Sequence, residues 1–169
     1  AQLLWSNMML HAVVDPPALF ERWRQALEVD GFVMFSCLGP GTLRELRALY
    51  ERLGWGAATP AFVDMHDLGD MLVHAGFADP VMDQETVTLQ WRDPEALLAE
   101  LRTLGINASP QRFPGCRTPR WREHLHEALG DLASNQGHIG MSFEVVYGHA
   151  FRAAPRVPAS LETSVPLDD

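Results

Sequence analysis

The stretch from Gly31 to Leu46, GFVMFSCLGPGTLREL, decides the fold. Phe32-Val33-Met34-Phe35 is a short continuous apolar run, the pattern of a strand covered on both faces, as strands in parallel sheets are. No polar face is left over. Gly39, Pro40 and Gly41 then punctuate the chain, and Thr42 followed three residues later by Glu45 has the spacing of a capping box, in which each side chain takes an orphan helical N–H. A helix is predicted to begin there. Ligands of open α/β sheets sit outside the carboxyl ends of the strands, and glycines let backbone approach them closely. The turn is therefore a candidate wall of an active site. An ordinary strand-to-helix turn, with glycines for geometry alone, accounts for the same residues equally well.

Outward from this stretch the pattern repeats. On the amino side, Ala1 to Asn7 reads as a strand ending in a polar turn, and Asp15 with Pro16 opens a helix whose Leu19, Phe20, Trp23, Ala26 and Leu27 share a face. Strand, helix, strand is a βαβ unit with a right-handed crossover. On the carboxyl side, Leu43, Leu46, Leu49, Tyr50 and Leu53 mark a helix that ends at Gly54. Asp64 caps another, carrying Leu68, Met71 and Leu72 to a stop at Gly76. Thr86 to Trp91 alternates as a strand, and Asp93-Pro94 opens a helix with Leu97, Leu98, Leu101 and Leu104 inward. Thr118-Pro119 opens a helix burying Trp121, Leu125, Ala128, Leu129 and Leu132, and Met141 to Phe151 alternates as the last strand. The architecture is α/β in one domain over residues 1–152, with a polar, proline-bearing tail over 153–169.

Composition narrows the function classes. A chain of 169 residues, 47% hydrophobic, is long enough to bury a core. A formal net charge of −9 argues against general affinity for nucleic acid or anionic membrane. All 13 basic residues are arginine, which excludes a lysine Schiff base or lysine general base on this chain. Two cysteines without metal-type spacing, Cys37 and Cys116, and no apolar run of membrane-spanning length point to a soluble protein of a reducing cytoplasm.

The polar residues yield few motifs. His124 and His126 sit two apart on a predicted helix and face different ways, and no H-E-x-x-H or C-x-x-C spacing occurs, so no metal site is expected. Asp64 and Asp67 have capping and dipole roles at a helix start. His11 follows Ser6-Asn7-Met8-Met9-Leu10 out of the first strand at the ligand-binding edge of the sheet. No dinucleotide-binding, P-loop or nucleophile-elbow motif is present. No catalytic residue stands out.

The segments SNMMLH, DPPAL, DGFVMFSCLGPGTLREL, FVDMHDLGDMLVHAGFADPVMD and FEVVYGHAFR together resemble the C-terminal half of the BioC family. These are S-adenosylmethionine-dependent class I methyltransferases of biotin synthesis, which methylate the free carboxyl of a malonyl group on acyl carrier protein. The resemblance spans residues 1–152. It implies a Rossmann-like sheet in which Leu3–Ser6 resembles the fourth strand, Phe32–Phe35 the fifth, Thr86–Trp91 the sixth and Met141–Phe151 the antiparallel seventh, with inserted helices. The family's glycine-rich cofactor loop and acidic ribose ligand have no counterpart in this chain, so the fragment alone is expected to be inactive.

By the same resemblance Ser6, Asn7 and His11 line the methyl-donor end of the S-adenosylmethionine pocket. Gly39, Pro40 and Thr42 shape the substrate side, and Arg44, Arg47, Arg112, Arg117, Arg120 and Arg122 are expected contacts for an acidic carrier protein. The reaction implied needs proximity, orientation and a dry site more than an activated nucleophile. Two other readings use the same residues: a noncatalytic binding or assembly module, pairing as a homodimer through an open fourth-strand edge, and a methyltransferase-like protein with another acceptor, as in related complex I assembly factors.

Overall fold

The computed structural model describes residues 1–105, 107–134 and 136–154; the expected tail beyond residue 154 lies outside the described residues. Four strands, β1 (Leu3–Ser6), β2 (Phe32–Leu38), β3 (Phe77–Trp91) and β4 (Ile139–Arg152), form one sheet in the order β1-β2-β4-β3. β1 runs parallel to β2, while β4 is inserted antiparallel between β2 and β3. Five helices accompany them: α1 (Pro16–Ala26), α2 (Arg44–Arg52), α3 (Met65–His74), α4 (Pro94–Thr103) and α5 (Pro119–Gly130).

Helix starts follow local chemistry. Asp15, Asp64, Asp93 and Thr118 each accept a hydrogen bond from a first-turn backbone N–H, and proline occupies the opening turn of α1, α4 and α5. α2 is the exception and corrects the expected capping box. Its N-cap is Leu43, in the left-handed region at φ 52°, without a side-chain cap. Thr42 and Glu45 bond instead to β4.

The sheet is covered on its two faces by different helices. Phe20 and Trp23 from α1, Leu27 at its C-cap, and Leu68 and Leu72 from α3 bury against Val33, Phe35, Cys37, Val146 and Ala150. On the opposite face, α2, α4 and α5 bring Leu46, Leu49, Leu97, Leu125 and Leu129 onto Leu38, Met141 and Phe143. That second cover stops short. Met34 is 45% exposed and Leu3 and Trp5 are 52% and 72% exposed, so the expectation that the Phe32–Phe35 run is covered on both faces is corrected. One face of β1 and of the first half of β2 is open.

β3 begins at Phe77, not at Thr86. Asp79-Pro80 and the polar Asp83, Gln84 and Glu85 interrupt the alternation expected of a strand, yet β3 is an edge strand, where proline loses no ladder bond. A register shift between Ala78 and Val81, with Asp79 at φ 48°, absorbs the irregularity. Leu104, expected to face inward from α4, is 61% exposed, because the helix ends one residue earlier at Thr103.

Candidate active site

The carboxyl ends of β1 and β2 are tied together by side chains that replace the next rungs of the ladder. Beyond Ser6 the chain turns away, and Met8, at φ 51°, donates its N–H to the Ser36 carbonyl at 2.9 Å and to Ser36 Oγ at 3.1 Å. Ser36 Oγ donates in turn to Asn7 Oδ1 at 2.6 Å. Two residues on, where a longer β1 would offer a carbonyl, His11 Nδ1 accepts the Leu38 N–H at 3.3 Å. The imidazole thus closes the ladder.

His11 stands on a short 3-10 turn, Leu10–Ala12, held down by the buried Leu10, and meets the Phe62 ring edge-on at 6.3 Å between centroids. Partial burial lowers its pKa from the ordinary value, because a low-dielectric setting disfavours the charged imidazolium. Burial acts oppositely on the neighbouring Cys37 thiol, pushing it up to about 11 and leaving it a protonated core group rather than a nucleophile. A small cavity of about 40 Å³ lies among His11, Leu10, Val13, Cys37, Leu38 and Val63. Ligand pockets occupy roughly 300–1,000 Å³, so this cavity is too small to hold a ligand by itself. Ser6, also expected here, is buried with its Oγ unpartnered. A larger hollow between α1 and α3, lined by Glu21, Met71 and His74, is away from the sheet end.

The glycine turn follows β2 and is anchored on β4. Thr42 is fully buried; its Oγ1 donates to the Glu144 carbonyl at 3.1 Å and accepts the Glu144 N–H at 3.1 Å. Glu45 accepts from Ser142 N at 2.9 Å and Ser142 Oγ at 2.6 Å. The close approach allowed by Gly39 and Gly41 is taken up by the Glu144 side chain: a Cβ on either glycine would run into its carboxylate. The two glycines therefore make room for Glu144, whose Oε1 is buried without a partner. Arg47 reaches back to donate to the Pro40 carbonyl.

The arginines do not act as one patch. Arg117 donates to the Trp55 carbonyl and stacks on Phe113 and Trp121, with its guanidinium carbon 3.9 and 4.5 Å from the ring centroids. Arg122 pairs with Glu95 at 3.0 Å, and Arg44 with Glu45 at 3.1 Å. Arg47 and Arg117 thus hold the fold, whereas Arg112 and Arg120 are exposed.

The residues that sequence reasoning missed are Ser36, Ser142 and Glu144. Ser36 was detectable as the lone hydroxyl after the apolar run; the other two act only through partners far away in the chain. Among the described residues no cluster of three or more metal-binding side chains occurs, and no helix is long and apolar enough to cross a membrane.

No protein-family model matches the chain. It is 40% identical over 156 residues to the malonyl-[acyl-carrier protein] O-methyltransferase of Gallionella capsiferriformans, with 92% of the chain and 53% of the relative covered. To the protein of the same name from Laribacter hongkongensis it is 37% identical over 161 residues, covering 95% and 54%. A solved structure from Bacillus halodurans C-125, described as a methyltransferase, superposes on 90% of the chain and 64% of its own length, with a TM-score of 0.52 at 9% identity; this likeness concerns the fold alone. The sheet, with its antiparallel last strand inserted beside β2, is thus the expected C-terminal portion of a class I methyltransferase sheet. Over about nine-tenths of its length the chain is homologous to the malonyl-[acyl-carrier protein] O-methyltransferases, and it spans about half the length of these relatives.

Proposed function

We propose that the chain is the C-terminal half of an S-adenosylmethionine-dependent methyltransferase that esterifies the free carboxyl of a malonyl group on acyl carrier protein in biotin synthesis. The observation that carries this reading is the 40% identity to a malonyl-[acyl-carrier protein] O-methyltransferase across nearly the whole chain. The uncovered face around Leu3, Trp5 and Met34 supports it, since an apolar sheet face of this kind is normally covered by further helices.

Ser6, with its buried unpartnered hydroxyl, and Asn7 and His11 at the sheet end fit the polar rim of a cofactor site. The glycine-rich loop and acidic ribose ligand that the family resemblance implies have no counterpart in this sequence. S-adenosylmethionine, when bound, supplies an electrophilic methyl group. The chain's own task is to orient the acceptor and exclude water, through the β1–β2 rim and the wall of Gly39, Pro40 and Thr42. Among the arginines expected to meet the carrier, Arg44, Arg112, Arg120 and Arg122 are exposed, Arg44 and Arg122 being paired with Glu45 and Glu95. The carrier's acidic surface would favour them by charge complementarity. Two free cysteines, one buried and one exposed, accord with a reducing cytoplasm.

A second reading, a noncatalytic module that pairs with a copy of itself, is favoured by the open β1 edge. Calorimetric titration of S-adenosylhomocysteine into this chain, and into the protein as the gene encodes it upstream of Ala1, separates the two. Binding by the gene-encoded protein supports the methyltransferase; absence of binding, with a dimer in sedimentation, supports the module.

A further inference from the structure

We propose that Asn7 and His11 are hydrogen-bond donors of fixed polarity that hold a carboxylate at the open end of β1 and β2. Each of these side chains can in principle donate or accept. In this fold the accepting atom of each is already engaged. Ser36 Oγ takes the Met8 N–H at 3.1 Å and gives its own proton to Asn7 Oδ1 at 2.6 Å, so Asn7 turns its Nδ2 amide outward. The Leu38 N–H occupies His11 Nδ1 at 3.3 Å, so the neutral ring carries its proton on Nε2, an atom that makes no hydrogen bond among the described residues. Burial favours that neutral form.

At Asn7 and His11 the rim therefore presents N–H groups. Asp15 and Asp64, which adjoin the cavity residues Pro16 and Val63 in the chain, each direct Oδ1 to a helix N–H, from Ala18 at 3.0 Å and His66 at 2.8 Å. A ligand group that is only an acceptor, and best an anionic one, satisfies such a rim; an ammonium or hydroxyl donor does not. Carboxylate oxygens, which only accept, suit an amide and an imidazole donor.

The identity of that carboxylate rests on the methyltransferase reading, which supplies two sources: the malonyl group of the acceptor, or the amino-acid end of the methyl donor. Nitrogen-15 histidine and side-chain amide spectra of the gene-encoded protein test the assignment directly. Without ligand, His11 is expected as the Nε2–H tautomer; an Nδ1–H tautomer overturns the proposal. On adding malonyl-N-acetylcysteamine thioester, the His11 Nε2 and Asn7 Nδ2 resonances should shift, and the methyl ester of the same thioester should shift them far less. Shifts with S-adenosylhomocysteine instead assign the donor's carboxylate as the ligand. Equal shifts with acid and ester overturn the proposal.

His11→Ala should weaken binding of the carboxylate probe about tenfold or more, while His11→Gln, which keeps an N–H donor, should retain most of it. Backbone amides of Phe20 and Leu72 report whether either variant still folds. Backbone shifts at Met8 to Leu10 without any His11 or Asn7 response remove this inference and leave the methyltransferase reading standing. No response anywhere in the chain to either probe removes both.

Discussion

Glu45 on α2 and Ser142 on β4 stand 97 residues apart in the chain, and the carboxylate of the first accepts both the backbone N–H and the hydroxyl of the second, at 2.9 and 2.6 Å. This pair fastens the helix after the glycine turn to the strand beneath it. Glu45→Ala leaves two partly buried donors unpaired, at a cost of about 1–3 kcal/mol, and should lower the urea midpoint accordingly. In a double-mutant cycle Ser142→Ala should cost little more once Glu45 is gone. Additive effects would show that the two residues act separately.

Acidification should destabilise the fold in two stages. Burial lowers the His11 pKa below 6.5, so the unfolded chain binds that proton more tightly. The stability tied to neutral His11 is complete above 6.5 and is lost as pH falls below it. For Glu45, burial alone would raise the pKa, but hydrogen bonds from Ser142 and Arg44 more than offset it and hold the carboxyl below 4.5. Its contribution is complete above 4.5 and is lost as pH falls through the lowered value. Urea midpoints measured from about pH 8 to about pH 3 should show both declines, and His11→Gln should remove the first alone.

Gly39 and Glu144 compete for one space. A methyl group at residue 39 would strike Glu144 Oε1, so Gly39→Ala should destabilise by about 1–3 kcal/mol, as overpacking does. In a Glu144→Ala background that loss should shrink to the part set by Val146 Cγ2, which lies 2.9 Å from the added methyl group. A loss of the same size in both backgrounds would mean that the glycine is needed for its backbone alone.

The two thiols should differ sharply under alkylation. Cys37 is buried with its pKa pushed up to about 11, while Cys116 is exposed. Iodoacetamide at neutral pH should modify Cys116 and leave Cys37 intact by mass spectrometry until the protein is unfolded. Early modification of Cys37 would contradict the packing described for β2.

What the sequence revealed was local. Asp15, Asp64, Asp93 and Thr118 cap helices because a side chain three residues or fewer from its partner needs no tertiary context. Thr42 and Glu45 have the same spacing, yet Ser142 and Glu144 outcompete the helix N–H groups for them, and nothing near residue 45 announces that. Arg47 and Arg117 look like free cations in the sequence, whereas a turn carbonyl and two aromatic rings claim them in the fold. The start of β3 was hidden by Pro80, which only an edge position tolerates. Ser6, Asn7 and His11 were expected as site residues from the family resemblance, and the fold sets Ser6 at the end of β1 with Asn7 and His11 beyond it. Their polarity depends on Ser36 and Leu38 across the ladder.

The reaction proposed for the full-length protein is carboxyl methylation of a carrier-bound malonyl group. The gene-encoded protein, incubated with methyl-labelled S-adenosylmethionine and malonyl-acyl carrier protein, tests it most directly by intact-mass analysis of the carrier. One labelled methyl group should appear on the malonyl carboxyl and none when the carrier bears an acetyl group. A protein that binds S-adenosylhomocysteine yet leaves malonyl carrier unmethylated would contradict it.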